Sequence, residues 1–326
     1  MKYKKVGNTG IKISEVVLGT MQFGWRVKEK ESFEIMDKAI ELGINAIDTA
    51  DIYSKWAEES YPGKSEEIIG KWMKERGIRD DLVLATKLFG EMSENINDRG
   101  LSRRHINQAL KSSLERLQTE WVDIYFTHTF DDETSLEETL QTFTSLIDQG
   151  KIHYIGASNT PTWRIMWALW LSDKNELARY ELLQPIYNIT RRHTYEQEIE
   201  PIVKEFKLGV TSYSPLGGGF LTGKYKKDKK SDSPRYESVK RRYFKDRNFE
   251  TIKVMEDITK EKDITMAQLA IAWVLHQESI TAPIIGANSI KQLEENVKAI
   301  EIKLTEDDLK RLGEISDWKV MDEETR

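Results

Sequence analysis

The sequence predicts a (β/α)8 TIM barrel with an N-terminal β-hairpin and an extra C-terminal helix. Short β-branched runs alternate with longer segments whose apolar residues recur three and four apart, as repeated strand–helix units around a parallel sheet require. Eight such units can be counted, and no Gly-x-Gly-x-x-Gly turn follows the first strand, where an open dinucleotide-binding sheet would carry one. No low-complexity linker divides the chain, and barrels of this length form one domain, so residues 1–326 are read as a single unit.

The elements follow in order. Tyr3–Val6 and Ile11–Ile13 flank the turn Gly7-Asn8-Thr9-Gly10, a hairpin suited to plugging the bottom of a barrel. The first strand is Val16–Gly19, followed by a helix with Phe33, Met36 and Ile40 on one face. The second, Ile44–Asp48, precedes a helix with Ile68, Ile69, Trp72 and Met73, and the third, Leu82–Lys87, precedes one with Ile106, Leu110, Leu114 and Leu117. The fourth, Val122–His128, leads to Leu136, Leu140, Phe143 and Ile147; the fifth, Ile152–Ser158, leads to a helix from Pro161 to Leu171. The tryptophans of that helix, Trp163, Trp167 and Trp170, are three to four apart and read as packing. Around Leu182–Gln184 lies the sixth strand, with Ile199, Ile202, Val203 and Phe206 behind it. The seventh, Val210–Tyr213, is separated by an irregular lysine-rich stretch from helices near 248–262 and 265–277. The eighth, Ala282–Gly286, is backed by Ile290, Leu293, Val297 and Ile300, and a charged helix near 305–317 is an outer appendage.

A 39% hydrophobic and 10% aromatic content fills a sizeable core. The net charge of −6, with both signs mixed along the chain, leaves no electrostatic footprint for nucleic acid or an anionic membrane. The basic run Lys224–Lys230 reads as a loop. There is no cysteine, which removes disulfides, thiolate metal sites and cysteine nucleophiles, and the five histidines show no metal-ligand spacing. With no signal-like apolar core near Met1 and no run of about 18 apolar residues, the expectation is a cytoplasmic protein.

A barrel demands that chemistry sit at the C-terminal ends of its strands. There Asp48 closes the second strand, Lys87 the third and His128 the fourth, with Tyr53 in the loop after Asp48. Singly, each reads as a satisfied salt bridge or polar group; jointly they suit carbonyl reduction, which needs a hydride on carbon and a proton on oxygen. A free tyrosine, with a pKa near 10, is a sluggish acid. Lys87 close to the phenol would lower its pKa, Asp48 would orient the ammonium, and His128 would donate to the same carbonyl oxygen.

The runs IDTADIYS at 47–54, LATK at 84–87 and YFTH at 125–128 resemble the tetrad motifs of the aldo-keto reductase family. The similarity extends from GNTGIKISEVVLGTMQFG at 7–24 to GANSIKQLEENVKAI at 286–300, and NDRGLSRRHI at 97–106 resembles the aryl-alcohol dehydrogenase-like and potassium-channel β-subunit-like branch. The resemblance implies that Tyr53, Lys87, Asp48 and His128 form the catalytic tetrad. It implies further that Ser158, Asn159 and Gln184 hold a nicotinamide carboxamide, with Thr20, Met21 and Asp48 alongside. Helix capping is the alternative for Ser158 and Asn159. By the same likeness Tyr213 stacks on the nicotinamide, barrel packing being its alternative. Ser214, Pro215, Leu216, Gly218 and Lys224 then meet a pyrophosphate, where the glycines allow close approach or simply a flexible loop.

Gly286, Asn288, Gln292, Glu295 and Asn296 match the adenosine end. Position 288 is often basic in relatives that take a 2′-phosphate; Asn288 lacks that charge, and Lys291 is the nearby cation, so NADP(H) is expected with NAD(H) left open. Trp25, Trp56, Phe89 and Phe130 are assigned to a substrate wall for aldehydes, with Thr129-Phe130 standing where many relatives have Trp-Pro. An oligomer contact is the other reading of these rim aromatics. The expected activity is reversible reduction of an aldehyde or ketone without metal or flavin. A nicotinamide-binding regulatory subunit is the alternative, and a barrel hydrolase needing Glu58, Glu59 or Asp131 near Asp48 is a third reading.

Overall fold

The computed structural model describes residues 1–319; residues 320–326 of the expected unit lie outside the described residues. Strands β1 (Tyr3–Lys5) and β2 (Lys12–Ser14) pair antiparallel as the expected hairpin. Eight parallel strands then close a barrel: β3 (Val17–Gly19), β4 (Ala46–Asp48), β5 (Val83–Leu88), β6 (Val122–Thr127), β7 (Ile152–Ser158), β8 (Tyr180–Gln184), β9 (Gly209–Ser212) and β10 (Ala282–Gly286), the last pairing with both β9 and β3. The fold class read from the alternating pattern is the one observed.

Helices α1 (Glu29–Glu41), α2 (Lys64–Arg76), α3 (Arg103–Leu117), α4 (Leu136–Asp148), α5 (Thr162–Asn175), α6 (Glu200–Phe206), α7 (Tyr236–Tyr243), α8 (Asp246–Lys262), α9 (Met266–Leu275) and α10 (Ile290–Val297) lie between and after the strands, and α11 (Glu306–Ile315) is the expected extra helix. Helix α7 was not anticipated. Its buried Tyr236, Val239 and Tyr243 keep helical spacing, but Lys240, Arg241 and Arg242 mask that pattern in a lysine-rich stretch.

Side chains alternate along each strand, so one set fills the barrel and the other meets the helices. Val17, Ala46, Ala85, Ile124, Phe126, Leu182, Ala282 and Ile284 form the inner cluster, and Val6 and Ile13 of the hairpin complete it as a plug at the N-terminal end. Backbone bulk decides that fit: a Cβ at Gly209 would stand 2.5 Å from Val6 Cγ1. With that end sealed, the opposite mouth is left for ligands.

The strand ends differ from expectation by one residue, in either direction. β5 continues through Leu88, β6 stops at Thr127 although His128 N still donates to Leu88 O, and β9 ends at Ser212, one residue before Tyr213. A larger correction concerns α5. Trp163, Trp167 and Trp170 are not packed; they are 60%, 44% and 54% exposed, while Ile165, Ala168, Leu169 and Ser172 form the buried face.

Candidate active site

At the barrel mouth the four anticipated groups come together. Lys87 Nζ, buried, donates to Asp48 Oδ1 at 2.5 Å, to Thr49 O at 2.7 Å and to the Tyr53 hydroxyl at 3.3 Å. All three ammonium protons thus have acceptors, which fixes the side chain's direction. Asp48 Oδ2 accepts from Gln184 Nε2 at 2.8 Å across the barrel, and Thr20 Oγ1 donates to Asp48 O at 2.9 Å. The rings of Tyr53 and His128 stand 6.0 Å apart, close to perpendicular.

Burial works against the Lys87 ammonium, but Asp48 and Tyr53 outweigh it and hold its pKa above the ordinary value. The Tyr53 phenol departs from expectation. Burial raises its pKa more than Lys87 lowers it, and Asp48 adds to the rise, so the net shift is upward. Tyr53 is therefore protonated throughout the neutral range, and Lys87 offsets part of the upward shift without bringing the phenol below its ordinary value. Burial, helped by Lys87, lowers His128 to about 3, which keeps its imidazole neutral.

Backbone conformation marks the same mouth. Of the non-glycine residues with positive φ, Gln118, Glu176, Lys207 and Asp263 end helices, where left-handed caps are ordinary. The others, Ser54 (φ 77°), Phe89 (148°), Asn159 (49°) and Ser214 (58°), all follow barrel strands. Asn159 is held by three contacts: its Nδ2 donates to His128 O and Ser158 Oγ, and its Oδ1 accepts from Tyr213 OH at 2.8 Å. Ser158 Oγ donates to Gln184 O. The capping alternative fails, because α5 begins beyond Pro161 without a side-chain cap.

Further round the rim, Ser214 O accepts from Asn188 Nδ2, Pro215 is buried and Leu216 partly so. Gly217, Gly218 and Gly219 all have positive φ, and a Cβ at Gly219 would stand 2.9 Å from Lys224 Nζ, so the lysine folds onto this turn. At β10, Asn288 N and Nδ2 both donate to Gln292 Oε1, and Asn296 Nδ2 donates to Gly286 O. Glu295 is partly exposed, and its backbone carbonyl accepts from Gln268 Nε2.

Sequence reasoning missed Arg235. Its guanidinium lies 5.6 Å from the Trp25 ring centroid with Met21 Sδ at 3.9 Å, and burial lowers its pKa. No carboxylate pairs with it among the described residues, which is an arrangement fitted to an incoming anion. Only its place in a lysine-rich loop hinted at this.

Trp25 and Trp56 meet edge to face at 5.7 Å, and Trp56 meets Tyr53 at 6.1 Å, so these two form an apolar wall beside the phenol. Phe89 packs partly buried on the outer core, and Phe130 lies under Arg164 at 5.4 Å in a small recess with Thr127 and Tyr180. No ring contact joins either of them to Tyr53, Trp25 or Trp56 among the described residues. Nor does the hydrolase reading find its second acid: Asp131 is occupied by Leu101 N, Glu133 N and Thr134, while Glu58 and Glu59 are exposed.

Behind the mouth, Asp51 is buried with both oxygens unpartnered. Burial, reinforced by Glu66, holds its pKa well above the usual 3.8. In the unfolded chain it ionises near 3.8, so the fold loses stability as pH rises above that value. Asp51→Asn is expected to raise stability by about 1–3 kcal/mol at neutral pH and to have little effect near pH 3; thermal melting at both pH values checks it.

An eight-stranded parallel barrel with a lysine–carboxylate–tyrosine array at its C-terminal mouth defines a barrel of enzyme type. Residues 15–317 match the model of the aldo/keto reductase family. The chain is 37% identical over 320 residues to the uncharacterized oxidoreductase YrpG of Bacillus subtilis, covering 97% of this chain and 96% of that one. It is 33% identical over 309 residues to a probable voltage-gated potassium channel subunit beta of Oryza sativa, covering 93% and 92%. It is 30% identical over 341 residues to the putative aryl-alcohol dehydrogenase AAD16 of Saccharomyces cerevisiae, covering 96% of each. The chain belongs to the aldo/keto reductase family, whose general role is oxidoreduction with nicotinamide cofactors. No helix among the described residues is long and apolar enough to cross a membrane, and no cluster of three metal-ligating side chains occurs among them.

Proposed function

We propose that the protein reduces an aldehyde or ketone to an alcohol, or runs the reverse reaction, with Tyr53 as proton donor and NADP(H) as the preferred cofactor. The observation that carries this is the Asp48–Lys87–Tyr53 chain of contacts beside a neutral His128. When bound, the reduced nicotinamide supplies the hydride that forms the new C–H bond. Tyr53 gives its proton to the carbonyl oxygen, and Lys87 stabilises the phenolate left behind. Asp48 keeps the ammonium charged and directed, and His128 donates its N–H to the same oxygen.

The protein's own groups fit such a cofactor. Asn159 and Ser158 present polar atoms beside His128, with Gln184 contributing its free Oε1 while its amide holds Asp48. The Tyr213 ring suits stacking; Gly217 N and Gly219 N donate within their own turn to Ser214 O and Leu216 O, so the N–H groups of Ser214, Leu216 and Gly218, with the positive charge of Lys224 and Arg235, would meet a pyrophosphate. Gly286, Asn288, Gln292, Glu295 and Asn296 would take the adenosine end, with Lys291 as the cation for a 2′-phosphate. Trp25 and Trp56, with Phe89 and Phe130 from the loops after β5 and β6, would wall the substrate. Fluorescence titration with NADPH and NADH, followed by an aldehyde panel with the tighter one, tests the proposal; absence of turnover across nitrobenzaldehydes, methylglyoxal and simple sugars overturns it.

A second reading, a nicotinamide-binding subunit with little turnover, is favoured by the channel-subunit name of the Oryza relative. Tight cofactor retention with slow turnover and co-purification of a membrane protein would select it.

His128 supplies a pH test. Its pKa near 3 predicts no acid limb from this group in kcat/KM between about pH 5 and 7. Because the folded value lies below the usual 6.5, neutral burial stabilises the fold above 6.5, and that contribution is lost as pH falls toward 3. Acid unfolding of His128→Gln should accordingly start at lower pH than that of the parent.

A further inference from the structure

We propose that the tryptophan stripe of α5 is a self-association surface through which two copies of this chain pair about a two-fold axis. Trp163, Trp167, Trp170 and Lys174 are spaced four, three and four, which places them along one line of the helix, opposite the face buried on the barrel. The first two indoles stack at 6.3 Å with planes 20° apart, and Lys174 Nζ lies 4.8 Å from the Trp170 centroid. The stripe is thus a continuous apolar strip that ends in a cation.

Its other end carries carboxylates of which one is already paired: the Arg164 guanidinium lies 5.5 Å from the Trp163 centroid and holds Asp132, which leaves Glu198 as the acid for an incoming cation. Asp132, 75% exposed although paired with Arg164, and Glu198, which accepts from Thr162 Oγ1, stand on either side of the first turn. Asp173 sits about 100° round the helix from Lys174 and off the line.

A strip that is apolar in the middle and oppositely charged at its ends complements itself when turned end for end. A two-fold axis near Trp167 lays α5 antiparallel on its copy, sets Trp170 against the partner's Trp163, and brings Lys174 toward the partner's Glu198, twice by symmetry. This closes at two copies, whereas a head-to-tail contact would propagate. Three half-exposed indoles cover on the order of 300–400 Å² per copy. That is below the roughly 800 Å² per partner of a standard interface, so the dimer belongs in the micromolar range.

Sedimentation velocity on the full chain from about 1 to 200 µM tests this, with a reversible monomer–dimer equilibrium expected. Trp167→Glu should weaken association at least about tenfold with melting temperature and turnover unchanged. Lys174→Glu should weaken it, and Glu198→Lys added to Lys174→Glu should restore it, which mere apolar stickiness would not do. A monomer at all concentrations, an assembly indifferent to Trp167→Glu, or failure of the charge swap to restore pairing overturns the proposal. So does a monomer that uses the stripe to bind anionic vesicles or a basic helical peptide instead.

Discussion

Tyr53→Phe is expected to lower kcat by about 10²–10⁴-fold while leaving the cofactor dissociation constant nearly unchanged. The change deletes the hydroxyl proposed as proton donor and keeps the ring. The Tyr53 hydroxyl contacts Lys87 at 3.3 Å, a contact made before any substrate arrives, but its largest contribution comes as the phenolate forms beside the ammonium. In the variant Lys87 keeps Asp48 and Thr49 O as acceptors, so no charge is left uncompensated and the fold should lose less than about 1 kcal/mol. Single-turnover kinetics and cofactor titration separate the two quantities. Equal losses in turnover and cofactor affinity would show that Tyr53 organises the binding site rather than donating the proton. Because burial raises the Tyr53 pKa, the parent should show no alkaline loss from this group below about pH 10.

The tetrad was legible because barrel topology converts strand position into location: a residue at the C-terminal end of a strand reaches the mouth whatever its loop does. Asp48, Lys87 and His128 needed only that rule, and Tyr53 needed only to follow Asp48 closely. Arg235 escaped because it arrives through a long connection, where no periodicity states which way a side chain returns. Asp51 escaped for another reason. Its surroundings, Glu66 on α2, Arg116 on α3 and Tyr125 on β6, are assembled by packing between distant segments, and no spacing encodes that neighbourhood. The α5 tryptophans show the limit of periodicity itself. A three-four spacing defines a helix face but not which face turns inward, and the competing stripe Ile165, Ala168, Leu169 and Ser172 takes the barrel side. Likewise the phenol's upward pKa shift depends on the balance of burial against one ammonium, a quantity that residue types alone do not fix.

Asp48→Leu is expected to have the largest effect on stability, about 3–5 kcal/mol, because it leaves a buried ammonium without its carboxylate. Gln184 Nε2 would lose its acceptor in the same step. Without Asp48, burial dominates at Lys87, its pKa falls below the ordinary value, and the fold then favours the neutral amine. The sign follows: such a group stabilises the fold above its unfolded pKa and costs stability as pH falls below it, so the deficit should shrink toward about pH 10. Adding Lys87→Met should recover most of the lost stability, since the uncompensated charge is gone, yet turnover should remain absent because nothing then stabilises the Tyr53 phenolate. Denaturant midpoints for the two single variants and the double variant give the coupling between the pair. A double variant as unstable as Asp48→Leu would mean that Asp48 acts through Gln184 and the barrel wall rather than through Lys87. Recovery of turnover in that double variant would instead remove the lysine from the mechanism.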